Sequence, residues 1–214
     1  MRVIFLDIDG VLNADCDFGG RSKPNPFVIS DDGKQYCGIC RTHVKHLKNI
    51  VDKTGAKIVL VSSWKTDYED FLKHGYKNRV GKYLYNKLKK HGLQIMDTTL
   101  KYDFSFGNNR GYEIRQWLED HPEVDSWVVL DDEKFIDYDF LKITPNLVRT
   151  DYKYGLWILP ELEAIYKLLG QNDSYLLHYE KFLNNNQSIN FTANQKIDPK
   201  EFAKIISEEA KKYD

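Results

Sequence analysis

The stretch VIFLDIDGVLN, residues 3 to 13, decides how the chain is read. Val3, Ile4, Phe5 and Leu6 run without interruption into Asp7, Ile8, Asp9 and Gly10. An unbroken apolar run of this kind fits a strand covered on both faces, as in a parallel sheet. Side chains two apart on a strand point to the same side, so Asp7 and Asp9 are aimed together at the sheet's carboxyl edge, where open α/β sheets place their ligands. Adjacent carboxylates repel unless a cation or a shared proton compensates. Gly10 then lets the backbone turn away and approach a ligand closely.

Working outward, the same strand pattern recurs in KIVLVSS at 57 to 63, SWVVLDD at 126 to 132 and, more weakly, NLVRT at 146 to 150. Helical periods separate these runs. Val44, Leu47, Ile50 and Val51 close at Gly55; Val80, Leu84 and Leu88 close at Gly92; Ile114, Trp117 and Leu118 end before Pro122; Leu162, Ile165, Tyr166 and Leu169 stop at Gly170. Strand alternating with helix predicts a doubly wound, Rossmann-like parallel sheet with flanking helices, an α/β fold built as one catalytic domain over residues 1 to 170. Residues 14 to 43 break the rhythm with Gly, Pro and Asp, and FVIS-DDGK-QYC reads as a hairpin on an Asp-Gly turn, a flap rather than a large cap. Residues 66 to 109 leave room for one helix, a strand at LQIM and loops. Residues 171 to 214 read as a mostly helical C-terminal extension, with Asp198, Pro199 and Glu201 opening its last helix.

Composition narrows the classes of partner. Lys and Arg number 31 against 32 Asp and Glu, a net charge of -1, so no global field draws the chain to nucleic acid or membrane. No apolar stretch approaches the roughly 20 residues of a spanning helix, and Arg2, Asp7 and Asp9 interrupt any signal-peptide core. Three cysteines make no disulfide framework, so a reducing, cytoplasmic setting is expected.

An isolated Asp-x-Asp reads most simply as a turn cap. The other strands change that balance, because VVLDDE ends in Asp131 and Asp132, and IVLVSSW ends in Ser62 and Ser63. Three central strands thus deliver acids and hydroxyls to one edge, and four oxygen-rich acids there form a hard-cation site of the Mg²⁺ type.

In order and spacing, Asp7-x-Asp9-Gly10-Val11, the hydroxyl after IVLV, the basic residue opening RGYEIRQWL, and LDD at 130 to 132 resemble the four motifs of the haloacid dehalogenase superfamily of Mg²⁺-dependent phosphotransferases. SSW followed by a basic residue, the RG-x-EI-x-x-WL helix, Thr150-Asp151 and Gly155-Leu156 are similar to small HAD domains found in phage, bacterial and RNA-repair proteins. The resemblance implies that Asp7 is the nucleophile that forms an aspartyl phosphate, and Asp9 the general acid and base whose carbonyl also faces the metal. It implies that Ser62, exchangeable with Ser63, hydrogen-bonds the phosphoryl group, and that Arg110 neutralises its charge, with Lys65 the runner-up. Asp7, Asp9, Asp131 and Asp132 would hold Mg²⁺, and Gly10, Ser63 and Lys65 would bind substrate. A dehalogenase needs neither Asp9 nor the Asp131-Asp132 pair. With no P-loop in the chain, the acceptor is water, and the expected activity is hydrolysis of a phosphomonoester.

The small flap leaves the expected site open, which suits a bulky ester such as a polynucleotide end, RNA or DNA, with nucleotides a further option. Lys77, Arg79, Lys82, Lys87, Lys89 and Lys90, interleaved with Tyr83 and Tyr85, fit either a phosphate-tracking face or a solvated helix surface; the latter is the ordinary outcome. Arg21 and Lys23 fit a solvated loop or a reach into the site. Cys37-x-x-Cys40, with His43 and Cys16, raises structural zinc, against which ordinary thiols are preferred. Trp64 and Trp117 are expected in the core. The competing functional class is a non-catalytic module on the same scaffold that binds phosphorylated ends or a protein.

Overall fold

The computed structural model describes residues 1–14, 28–75, 78–100 and 109–171. Five parallel strands form the sheet: β1 (Arg2–Leu6), β4 (Lys57–Leu60), β5 (Ile95–Thr98), β6 (Ser126–Asp131) and β7 (Leu147–Arg149). Their order is β5-β4-β1-β6-β7, with β2 (Val28–Ile29) and β3 (Gln35–Tyr36) in a separate two-stranded sheet. The α/β doubly wound expectation is met. The chain runs outward from β1 through β4 to β5, then crosses to β6 on the other flank. The order therefore reverses beside β1, at the kind of switch point where such sheets open a crevice for ligands.

The apolar runs explain the layering. Ile4 and Leu6 belong to one core with Val44, Leu47 and Ile50 of α1 (Arg41–Thr54), Tyr68 of α2 (Lys65–His74), Leu84 and Leu88 of α3 (Arg79–Lys89), and Ile165 and Leu168 of α6 (Ile158–Leu168). Val3 and Phe5 belong to the other, with Ile114 and Trp117 of α4 (Arg110–Asp120) and Tyr138 of the short α5 (Asp137–Phe140). From Val3 to Leu6 both alternating sets of β1 side chains are thus buried, which is why this run does not alternate.

Two elements depart from expectation. Residues 66 to 109 hold most of two helices, α2 and α3, where one was expected, and the strand at LQIM falls at Ile95–Thr98. Only Lys65 and Tyr68 of α2 are fully buried, so its apolar stripe is too thin for a clear helical period. The hairpin forms as expected, with Val28 opposite Tyr36 and the Ser30 amide donating to the Lys34 carbonyl across the Asp-Gly turn. The rest of the expected flap, including Cys16, Arg21 and Lys23, lies outside the described residues, as do Lys77 and residues 172 to 214. Among the described residues, no helix is long and apolar enough to cross a membrane.

Candidate active site

Register brings the acids together. Leu6 pairs with Leu130, and Asp7 extends the pairing by donating its amide to the Leu130 carbonyl at 2.9 Å. Asp7 and Asp131 therefore leave adjacent parallel strands at the same level, and Asp132 follows in the next turn. Ligand oxygens of Asp7, Asp131 and Asp132 lie within 4.8 Å of one another. Asp7 is 4% exposed and Asp131 is fully buried.

The Arg110 guanidinium joins these two strands, with Nη1 2.6 Å from Asp131 Oδ2 and 3.3 Å from Asp7 Oδ1. Its Cζ lies over the Phe135 ring, 4.4 Å from the centroid, a cation–π contact. Arg110 opens α4, and the Asp137 carboxylate accepts the amides of Gly111 at 2.9 Å and Tyr112 at 3.3 Å, capping that helix from across the fold. The close approach explains Gly111, where a Cβ would lie 2.8 Å from Asp137 Cγ. Asp131 also accepts the Glu133 amide at 3.0 Å and the Tyr138 hydroxyl at 3.3 Å.

Three carboxylates face one guanidinium, and the electrostatics reflect the excess. Burial first, then the charges of Asp131 and Asp9, raise the Asp7 carboxyl to about 7 against the opposing pull of Arg110 and Ser62. Asp132 is raised by burial and by Asp131. Burial works against the Arg110 charge, yet Asp7 and Asp131 outweigh it and hold the guanidinium above its ordinary value. An all-oxygen donor set with surplus negative charge fits a hard divalent cation.

The expected residues take different places around this cluster. Ser62 is fully buried and hydrogen-bonds Asp7, whereas Ser63 is exposed. Gly10, at φ +67°, makes the expected close approach, but to a side chain of the protein: a Cβ there would lie 2.3 Å from Asp132 Cγ. Its amide donates to Asn13 Oδ1 at 3.0 Å and its carbonyl accepts the Thr150 hydroxyl at 2.9 Å. The three-acid group does not include the Asp9 side chain. β1 ends at Leu6, and the turn that follows directs Asp9 to the Asn13 amide at 2.6 Å and the Trp64 indole at 3.1 Å. Lys65 is buried, its ammonium donating to Glu113, to Thr99 Oγ1 at 3.2 Å and to the Leu100 carbonyl at 3.3 Å. Among the described residues, Arg110 is therefore the cation paired with Asp7 and Asp131.

Trp64 is in the core as expected, yet it also holds Asp9, and its ring meets Tyr36 of the hairpin edge-on at 5.0 Å. Thr150 and Leu156 clasp the turn after β1, Leu156 donating its amide to the Val11 carbonyl at 2.8 Å. Tyr83 and Tyr85 pack partly buried against the core, and the Tyr83 hydroxyl accepts the Ile39 amide, so the basic helix uses its rings for packing. Cys40 is the buried N-cap residue of α1, and the His43 ring hydrogen-bonds the Val11 carbonyl. Among the described residues, Cys37, Cys40 and His43 form no group close enough to hold a metal.

Residues 3–157 match the family described as the HAD domain in Swiss Army Knife RNA repair proteins. No curated protein and no solved structure matches the chain.

Proposed function

Since the chain belongs to the family of HAD domains in Swiss Army Knife RNA repair proteins, we propose that it hydrolyses a terminal phosphomonoester of a polynucleotide in a divalent-cation-dependent reaction through an aspartyl phosphate. The observation that carries this reading is the gathering of Asp7, Asp131 and Asp132 at the switch point, with Arg110 bridging the first two. Asp7, Asp131 and Asp132, joined by the Asp9 carbonyl, would hold Mg²⁺, which when bound neutralises charge on the phosphoryl group and the acids.

Each residue then has one task. An Asp7 carboxylate oxygen attacks phosphorus in line, forming the new P–O bond as the bond to the leaving oxygen breaks. Asp9, held by Asn13 and Trp64, gives its proton to that leaving oxygen. It next takes a proton from the water that attacks the phosphorus of the aspartyl phosphate, releasing phosphate and restoring Asp7. Ser62 orients the nucleophile, and Arg110 donates to the transferring oxygens.

The test is a substrate panel: oligonucleotides ending in 3′-phosphate or 5′-phosphate, free nucleotides, sugar phosphates and an aryl phosphate, each with and without Mg²⁺. Phosphate release from oligonucleotide ends that requires Mg²⁺ and vanishes in Asp7→Asn is expected. Preference for a sugar phosphate would reject the polynucleotide end, and tight binding without turnover of any ester would favour the non-catalytic module.

A further inference from the structure

A groove of about 770 Å³ opens beside the acid cluster and shares Asp132 with it. Tyr152, Tyr154 and Trp157 line it, three aromatic rings within six positions of the segment joining β7 to α6. Tyr152 is 48% exposed. The volume lies within the roughly 300–1,000 Å³ typical of small-ligand sites, room for a nucleoside. Arg149 stands where the groove meets the catalytic acids, because it pairs with Asp131 across β6 and β7 and donates Nε to the Asp132 carbonyl at 3.0 Å.

The charges in the groove select among ligands. Asp132, Asp151 and Glu163 line it together with one cation, Arg149, at its junction with the acid cluster. The same carboxylates accept hydrogen bonds from ribose hydroxyls or base amino groups. Aromatic faces gain from a base, which offers a π surface whatever its identity, whereas a sugar phosphate offers none. The basic helix offers no equivalent platform, since Tyr83 and Tyr85 are packed against the core.

We infer that this groove seats the terminal nucleoside, base and ribose, of the strand whose phosphate is presented to Asp7. The inference rests on the phosphatase reading of the neighbouring site and adds the recognition element: stacking on the Tyr152 side and hydroxyl or amino contacts to Asp151 and Glu163. The phosphomonoester lies at the Asp132 end, with Arg149 at the junction. Selectivity is for a nucleoside end of any base.

Binding to the 214-residue chain carrying Asp7→Asn, with Mg²⁺, tests it without turnover. The probes are an end-phosphorylated oligoribonucleotide, labelled at its far end, and the same strand with an abasic phosphorylated terminus. Loss of the terminal base should weaken binding about tenfold, as base–aromatic stacking predicts. Adding Tyr152→Ala should weaken the intact strand about equally while hardly changing the abasic one, and Tyr152→Phe should restore the affinity. Equal affinity for intact and abasic ends, or no measurable binding of the phosphorylated strand, would overturn the inference. Failure of the phosphatase reading shows separately, as unaltered protein that releases no phosphate from any ester while the base-dependent binding persists.

Discussion

Burial lifts the Asp7 carboxyl to about 7, so the proposed nucleophile, which must be ionised to attack, is only partly so near neutral pH in the metal-free protein. Ionisation rises with pH, and a cation favours the charged form. The rising limb of the pH–rate profile should therefore move to lower pH as Mg²⁺ is increased; a limb that stays fixed over a wide Mg²⁺ range would contradict this. Stability has the opposite sign. The folded value lies above the usual 3.8, so this group's contribution is fully present below 3.8 and is lost as pH rises toward 7. Asp7→Asn should accordingly melt higher than the unaltered protein in chelator at pH 8, a difference that closes near pH 4. Trp64→Phe keeps the buried ring and deletes the indole donor to Asp9, and should lower kcat by about tenfold, a fraction of the general acid-base contribution, with little change in melting temperature. The acids were legible because each follows an apolar run directly. Trp64 with Asp9 and Thr150 with Gly10 were not, because the partners lie 55 and 140 residues apart.

Helix α4 delivers Arg110, and its first turn is fixed by one carboxylate from another element, Asp137, accepting the amides of Gly111 and Tyr112. Gly111→Ala would drive a Cβ to 2.8 Å from that carboxylate, forcing the helix start to shift. Because small displacements of positioning groups are costly, kcat/KM should fall about ten- to a hundredfold. Stopped assays on the folded variant check this, and undiminished activity would mean that the Arg110 position is not set by this cap. The RG pair was visible as a motif, but its physical reason lies 26 residues away and emerges only in the fold. Among the elements, β1, β4 and β6 were plain in sequence because both faces are buried, whereas α2 was not, since only two of its residues are fully buried.

For the whole domain, the β5-β4-β1-β6-β7 order gathers separate sequence motifs at one edge of the sheet, with an aromatic groove beside Asp132. The sheet and its acid edge could be read from sequence, since strand pattern and strand end are local. The groove could not, because Asp132 and Trp157 come to line one groove only once β7 has paired with β6. If the acids hold a divalent ion in the folded state alone, Mg²⁺ at a hundred times its dissociation constant should stabilise the fold by about 2.7 kcal/mol. Thermal melts of Asp131→Asn should lose that increment. The central claim, that Asp7 carries the phosphoryl group, is tested most directly by acid-quenching a reaction with ³²P-end-labelled oligonucleotide and locating protein-bound label by peptide mapping. Label on the peptide containing Asp7, dependent on Mg²⁺ and absent from Asp7→Asn, is the predicted result; label on another residue, or undiminished turnover by Asp7→Asn, would contradict it.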